Sequence, residues 1–151
     1  MSFHPVSEDD LARARVDEQW AREGIFELEP APDQPLGGVD KAWHGLAYLL
    51  ESARTGVGLL FDAEPLDTDG HLFGWSTELV AHAAERLGTV TFDQLAAHYD
   101  PERMDAASIY PGFWARDPDD GREYLEDNLV ELKKIFAYAA DHRSCLVQHL
   151  G

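Results

Sequence analysis

Three polar side chains spaced four residues apart are the best candidates for chemistry in this sequence. They are Asp40, His44 and Tyr48. Residues four apart lie above one another on a helix, so a carboxylate there can orient an imidazole and raise its basicity. Asp40 and His44 are therefore a candidate acid/base pair, with Tyr48 as a hydrogen-bond donor. The alternative is structural: Asp40 caps the helix, and His44 and Tyr48 are solvated or lie under a loop.

A second set of candidates would bind a ligand rather than transform it. It consists of Lys41, Trp43, Tyr110 and Trp114. Their rings could form the aromatic wall of a pocket beside the polar stripe. We favour packing for Tyr110, Phe113 and Trp114, at the junction between neighbouring helices, because most aromatic side chains serve burial.

Standard catalytic and metal-binding patterns are missing from the sequence. No two histidines have the spacing with which a helix aims two imidazoles at one metal, and there is no nucleophile elbow or phosphate-binding glycine loop. The acidic segment 62–70 partly matches a calcium loop, but its first and last ligand positions would be Pro65 and Ser76. We predict a solvated turn there, and no metal or cofactor.

Charge and cysteine content restrict the partners and the compartment. The 29 acidic and 12 basic residues give a net charge of −17, which argues against binding nucleic acid or a membrane surface and is compatible with a basic protein partner. The single cysteine, Cys145, allows no intrachain disulfide and is expected to be buried. With no long apolar stretch or signal-like start, we predict a cytoplasmic protein. The oligomeric state is left open.

Local patterns predict a mainly helical domain. In the first half they indicate a helix from Ser7 to about Gly24 with Leu11, Val16 and Trp20 inward, a Pro/Gly-rich connection over 27–39, a helix from Asp40 to about Arg54, and a short strand at Leu59–Phe61. In the second half they indicate a helix over 76–87, a kinked helix pair from Thr91, a type II turn at Pro111-Gly112, a helix over about 121–141, and a strand over 144–150. Strands and helices do not alternate, so the predicted class is α+β, mainly helical, with a small sheet that includes the C-terminal strand.

Four motifs together resemble one known family. They are Asp40-Lys41-x-Trp43-x-x-Leu46, Trp75-x-x-Glu78-Leu79, Ile109-Tyr110-Pro111-Gly112 and the closing apolar strand. This combination is similar to the YfbM-like family, a bacterial domain of unknown function, over about residues 40–151, with residues 1–39 more divergent. Family members typically open with a short hydrophobic strand, where this chain has Phe3-His4-Pro5.

The resemblance implies one compact α+β domain over residues 1–151, without an assigned activity. Asp40, Lys41, Trp43 and Tyr110 stand at family-typical positions, and no catalytic residue can be transferred. Our first hypothesis is a non-enzymatic binding or protein-interaction module, with a basic protein as partner. The alternative is a small-molecule-binding domain or weak hydrolase that uses Asp40 and His44 as an acid/base pair.

Overall fold

The two ends of the chain meet in one antiparallel sheet. A computed structural model describes all residues, 1–151. The sheet has the order β1-β4-β3-β2 and consists of β1 (Ser2–Val6), β2 (Glu64–Pro65), β3 (Leu72–Trp75) and β4 (Cys145–His149). Ser2 pairs with His149, and Val6 pairs with Cys145. The C-terminal strand is therefore central, between the first strand and β3.

Helices make up most of the remaining chain. They are α1 (Glu8–Ala14), α2 (Glu18–Glu23), α3 (Trp43–Ser52), α4 (Thr77–Thr89), α5 (Phe92–Ala96), α6 (Pro101–Ala106) and α7 (Pro118–Asp141), with short 3-10 helices at Gly24–Glu27 and Asp40–Ala42. The predicted class, α+β and mainly helical with a small sheet that includes the C-terminal strand, is confirmed. No helix combines the length and the apolar character needed to cross a membrane.

Alternation along the strands separates two hydrophobic cores, one on each face of the sheet. Trp75 and Leu146 enter the large core of 27 buried residues, which α3 to α7 cover. Leu72 and Val147 enter the small core of nine buried residues, which α1, α2 and the 3-10 helix at 24–27 cover. The helices that carry the candidate residues therefore belong to the large core.

Several local predictions are confirmed. Ser7 and Asp10 form a capping box at α1, and Thr91 and Gln94 form another at α5. Asp100 caps α6, which has proline at its first position. The helix predicted over about 121–141 forms as α7, and its apolar seam is buried, at Leu125, Leu129, Leu132 and Phe136.

The single helix predicted from Ser7 to Gly24 is wrong. The chain forms α1 and α2, because the Asp17 carboxylate accepts from the Trp20 backbone N–H and starts a second helix. Val16, predicted to point inward, lies in the break and is 86% exposed.

The strand predicted at Leu59–Phe61 is also wrong. Backbone N–H groups of Phe61 and Asp62 both donate to the Gly58 carbonyl, so this segment is a tight turn. The strands form instead at β2 and β3, where Gly74 is closely packed: a Cβ there would lie 2.8 Å from Leu11. At Phe3-His4-Pro5 a strand does form, held by its pairing with β4.

Two local predictions, a helix cap at Asp40 and a type II turn at Pro111-Gly112, differ from the structure. Asp40 does not cap α3: it is the first residue of the 3-10 helix at 40–42, with a left-handed φ of +37°, and its carboxylate accepts from Tyr124 instead. The Tyr110-Pro111 peptide bond is cis, and the Gly112 backbone N–H donates to the Ile109 carbonyl. Pro111 is therefore the third residue of this turn, and the predicted type II turn is wrong.

Candidate functional site

Asp40 and Lys41 are bound to α7, not to His44. The Tyr124 hydroxyl donates to Asp40 Oδ2 over 2.7 Å and accepts from the Lys41 backbone N–H over 3.0 Å. The bond from Tyr124 lowers the pKa of Asp40, while burial and then Asp40 raise the pKa of Tyr124 to about 12. The structure therefore does not join Asp40 and His44 by a hydrogen bond.

His44 is bound to the corner formed by residues 109–114. Its Nδ1 accepts from the Tyr110 backbone N–H over 3.1 Å. Because a backbone N–H can only donate, Nδ1 holds a lone pair, and the neutral ring carries its proton on Nε2. Burial lowers the pKa of His44, which agrees with a neutral imidazole.

Three of the predicted residues form one aromatic cluster. The Trp43 ring stacks on His44 with centroids 4.9 Å apart and on Tyr110 with centroids 6.1 Å apart. Tyr110 is 44% exposed. Trp43 and Tyr110 line a shallow concavity of about 270 Å³ beside Leu150 and Gly151. The structure thus brings the motif at residues 40–46 and the motif at residues 109–112 together.

Trp114 does not join that cluster. It is fully buried, and its Nε1–H donates to the Ile109 carbonyl over 2.8 Å. A Cβ at Gly45 would lie 2.9 Å from the Trp114 ring, so the missing side chain lets α3 approach it. Trp114 therefore fills a junction between helices, which is the packing role predicted for it, while Tyr110, four residues earlier, is open to solvent.

A cavity lined mostly by apolar side chains lies between α3 and the turn at residues 54–62, and we name it the α3 cleft. Its volume is about 450 Å³. Its apolar walls contain Ala47, Leu50, Val57, Leu59, Leu60, Phe61 and Ile109. Its polar lining side chains are His44, Tyr48, Glu51, Arg54 and Asp62. Two of the three stripe residues, His44 and Tyr48, thus line one cleft, and Asp40 does not.

A glycine shapes the outer wall of the α3 cleft. The Gly58 backbone N–H donates to Asp62 Oδ2 over 2.7 Å, and a Cβ at Gly58 would lie 2.7 Å from Asp62 Oδ1. The buried Leu59 anchors this turn, since its carbonyl accepts from the Gln148 side chain over 3.0 Å. Phe61 is left at the mouth of the cleft with 78% of its surface exposed.

Tyr48 borders two cavities. Besides the α3 cleft it lines a second, more polar one with His98, Asp100 and Arg103 on the α5–α6 side. Its hydroxyl makes no side-chain hydrogen bond, while His44 bonds to Tyr110 and Asp40 bonds to Tyr124. Tyr48 is therefore available to a ligand from either side.

Charges in the cleft are few and are not paired with each other. Glu51, Arg54 and Asp62 make no salt bridge. Two carboxylates against one guanidinium leave the lining slightly negative. No set of three or more His, Cys, Asp or Glu side chains has an arrangement that could hold a metal ion.

The acidic loop that partly matches a calcium site is closed by the protein itself. Asp67 is buried, and its Oδ1 accepts from the backbone N–H groups of His71 and Leu72. Arg22 lies 3.4 Å from Asp67 and 2.6 Å from Asp69. The predicted solvated turn is thus wrong for Asp67, which is an internal hydrogen-bond acceptor.

Sequence reasoning missed Phe61, Arg54 and Asp62 as cleft residues. The signal was present: Gly56 and Gly58 directly after a helix, followed by an apolar run, are typical of a tight turn. A glycine with φ of +79° at Gly56 and the Gly58–Asp62 bond produce that turn. The strand that this apolar run predicts, Leu59–Phe61, would hide Phe61 in a sheet.

Comparisons with known proteins give a family and no activity. The family model of DUF1877, a domain of unknown function, matches residues 1–149. No curated protein and no solved structure matches the chain. The match covers the sheet, the aromatic cluster and the α3 cleft, and it includes the N-terminal strand. The chain therefore belongs to the DUF1877 family, which bears out the family resemblance of its sequence.

Proposed function

We propose that the protein is a non-enzymatic interaction module that binds a basic protein partner. An apolar side chain of the partner enters the α3 cleft, and basic residues beside it meet the acidic surface. The observation that carries this proposal is Phe61, an aromatic ring 78% exposed at the mouth of an apolar cleft. Exposed apolar surface next to a concavity is typical of protein-binding sites.

The size and lining of the cleft suit one anchoring side chain. Its volume of about 450 Å³ is within the range of ligand pockets, at the smaller end. The buried residues Leu50 and Leu59 form a rigid floor, since both belong to the large core. Phe61 and Ile109 would then pack on either side of the anchor, and its burial would supply most of the binding energy.

Charge supports a basic partner. Residues 92–131 contain eleven acidic and three basic residues, and this segment also supplies Ile109 and Tyr110. A net charge of −17 raises the encounter rate of a positively charged protein and repels an acidic one. The single cysteine, buried and unpaired, suits a reducing compartment, and we propose that the interaction takes place in the cytoplasm.

The alternative function, a small-molecule-binding domain or weak hydrolase, is supported by one observation. His44 and Tyr48 line the same cleft. Hydrolysis would need His44 as a base, yet Nδ1 is already an acceptor for Tyr110 and Nε2 carries the proton. Asp40 is bound to Tyr124. We therefore favour binding without turnover.

Short peptides can test the proposal. The probe is an acetylated, amidated pentapeptide with tryptophan between two pairs of arginines. The controls replace the tryptophan by alanine or the arginines by glutamates. We expect the probe alone to shift the amide NMR signals of Leu60, Phe61 and Ile109, with an affinity that falls as salt rises. Equal binding of the acidic peptide, or shifts only elsewhere, would overturn the proposal.

A further inference from the structure

We infer that His44 is a specificity-determining residue of the α3 cleft, which donates a hydrogen bond from Nε2 to a main-chain carbonyl of the partner. This inference rests on the proposed function. It starts from the Tyr110 backbone N–H, which occupies Nδ1 and fixes the proton on Nε2. A ring that rotates freely could offer either a donor or an acceptor, but this ring offers only a donor.

The donor is free to bind. Nε2 of His44 makes no hydrogen bond within the protein, and it is not one of the polar atoms buried without a partner. Stacking on Trp43 at an interplanar angle of 10° holds the ring plane. His44 thus presents a fixed, solvent-accessible N–H at the edge of an apolar cleft.

The surroundings of Nε2 select the type of acceptor. The lining has two carboxylates, Glu51 and Asp62, against the one guanidinium of Arg54, and this excess together with the net charge of −17 disfavours a carboxylate ligand. A neutral carbonyl is not repelled in this way. A peptide supplies such a carbonyl on each side of its anchoring side chain, so one bound residue can fill the cleft and accept from His44 at the same time.

Two substitutions separate the two nitrogens of His44. In His44→Asn the amide oxygen can replace Nδ1 as the acceptor for Tyr110, but nothing replaces the Nε2 donor. In His44→Gln the amide NH₂ can reach the position of Nε2, but the acceptor for Tyr110 is lost. The Tyr110 amide NMR signal therefore reports whether the corner at 109–114 is intact in each variant.

The experiment measures binding of the arginine-flanked tryptophan peptide to the wild type and both variants. We expect His44→Asn to keep the Tyr110 signal and to weaken binding about two- to tenfold, as for one lost hydrogen bond. A thioamide peptide, whose sulfur is a weaker acceptor in place of the carbonyl before the tryptophan, should bind the wild type less tightly and His44→Asn no less tightly than the normal peptide.

The outcomes distinguish the two proposals. Wild-type affinity in His44→Asn, or the same thioamide loss in His44→Asn as in the wild type, would overturn the role of His44 and leave the interaction module standing. Absence of binding to the wild type would overturn both. If either variant were unfolded, the thioamide peptide on the wild type, together with ¹⁵N NMR of the His44 ring, still decides: a proton on Nδ1 at neutral pH contradicts the inference.

Discussion

The two faces of the sheet differ in how they are held together. The large core has 27 buried residues, and the one buried polar side chain on its face of the sheet, Gln148, is bonded at both ends to Trp75 and Leu59. The small core has nine, and beside it the buried Asp67 has an oxygen, Oδ2, without a hydrogen bond. Packing therefore dominates one face, while polar contacts at the margin hold the other.

The margin of the small core contains groups that can change charge. Phe26 lies between two imidazoles, with ring centroids 4.9 Å from His4 and 5.2 Å from His149. Arg22 forms salt bridges to Glu18, Asp67 and Asp69. We expect the stability of this face to depend on pH, and that of the large-core face to depend mainly on volume.

The largest effect should come from a cavity in the large core. Phe136 is fully buried and packs edge-on against Phe3 and Trp75. We expect Phe136→Ala to lower the free energy of unfolding by about 3–5 kcal/mol, measured by urea denaturation. The matched control is Val130→Ala on the same helix, which is 46% exposed and should change it by less than about 0.5 kcal/mol. Similar losses in both variants would contradict the comparison.

An intermediate effect is expected at the margin of the small core. Asp67→Ala removes the acceptor for two backbone N–H groups, those of His71 and Leu72. We expect a loss of about 1–3 kcal/mol in the free energy of unfolding, because buried donors are left unpaired. Asp67→Asn keeps an acceptor oxygen and should lose less. Asp69→Ala, at a side chain that is 58% exposed, is the control, and an equal loss there would assign the effect to charge alone.

Sequence patterns predicted the elements whose signals are local. Ser7 with Asp10 and Thr91 with Gln94 each place a cap and its partner within one turn, and both boxes form. The apolar spacing of α7 is local in the same way. These signals do not depend on where the rest of the chain lies, and therefore they can be read from the sequence.

The contacts that the sequence does not predict join residues far apart along the chain. His44 binds Tyr110 across 66 positions, and Asp40 binds Tyr124 across 84. The i, i+4 spacing of Asp40 and His44 predicts a pair on one helix, but the left-handed backbone at Asp40 turns its carboxylate toward α7. The strand β1 contains His4 and Pro5, a weak local signal, and forms through β4. Tertiary contacts therefore determine the bonds of Asp40 and His44 and the formation of β1.

A drop in pH should weaken the small core before the large one. Burial, followed by mutual repulsion, lowers the pKa of His4, and burial also lowers that of His149, whose neighbours include the chain's amino group, His71 and Asp67. The unfolded chain then binds protons more readily than the folded one. The folded state is therefore at its most stable above the ordinary histidine pKa of about 6.5, and it loses stability as the pH falls through the lower pKa values that these histidines have in the folded state.

Hydrogen exchange at neutral and mildly acidic pH measures this prediction. We expect amides of β1 and of residues 24–27 to lose protection in acid while those of α7 keep it. Replacing both His4 and His149 by glutamine should reduce the pH dependence in β1. Uniform loss across both faces, or no change in the double variant, would show that carboxylates elsewhere cause the acid sensitivity.

The smallest effect on stability should accompany a large effect on binding, at Phe61. Because this ring is 78% exposed, Phe61→Ala removes little buried surface and should change the free energy of unfolding by less than about 0.5 kcal/mol. Leu36→Ala is the matched control, as Leu36 is 94% exposed and is not part of the α3 cleft. Peptide titration should show that only Phe61→Ala loses affinity. Equal affinity of the two variants would mean that the exposed ring is incidental, and the apolar walls behind it would then have to account for any binding.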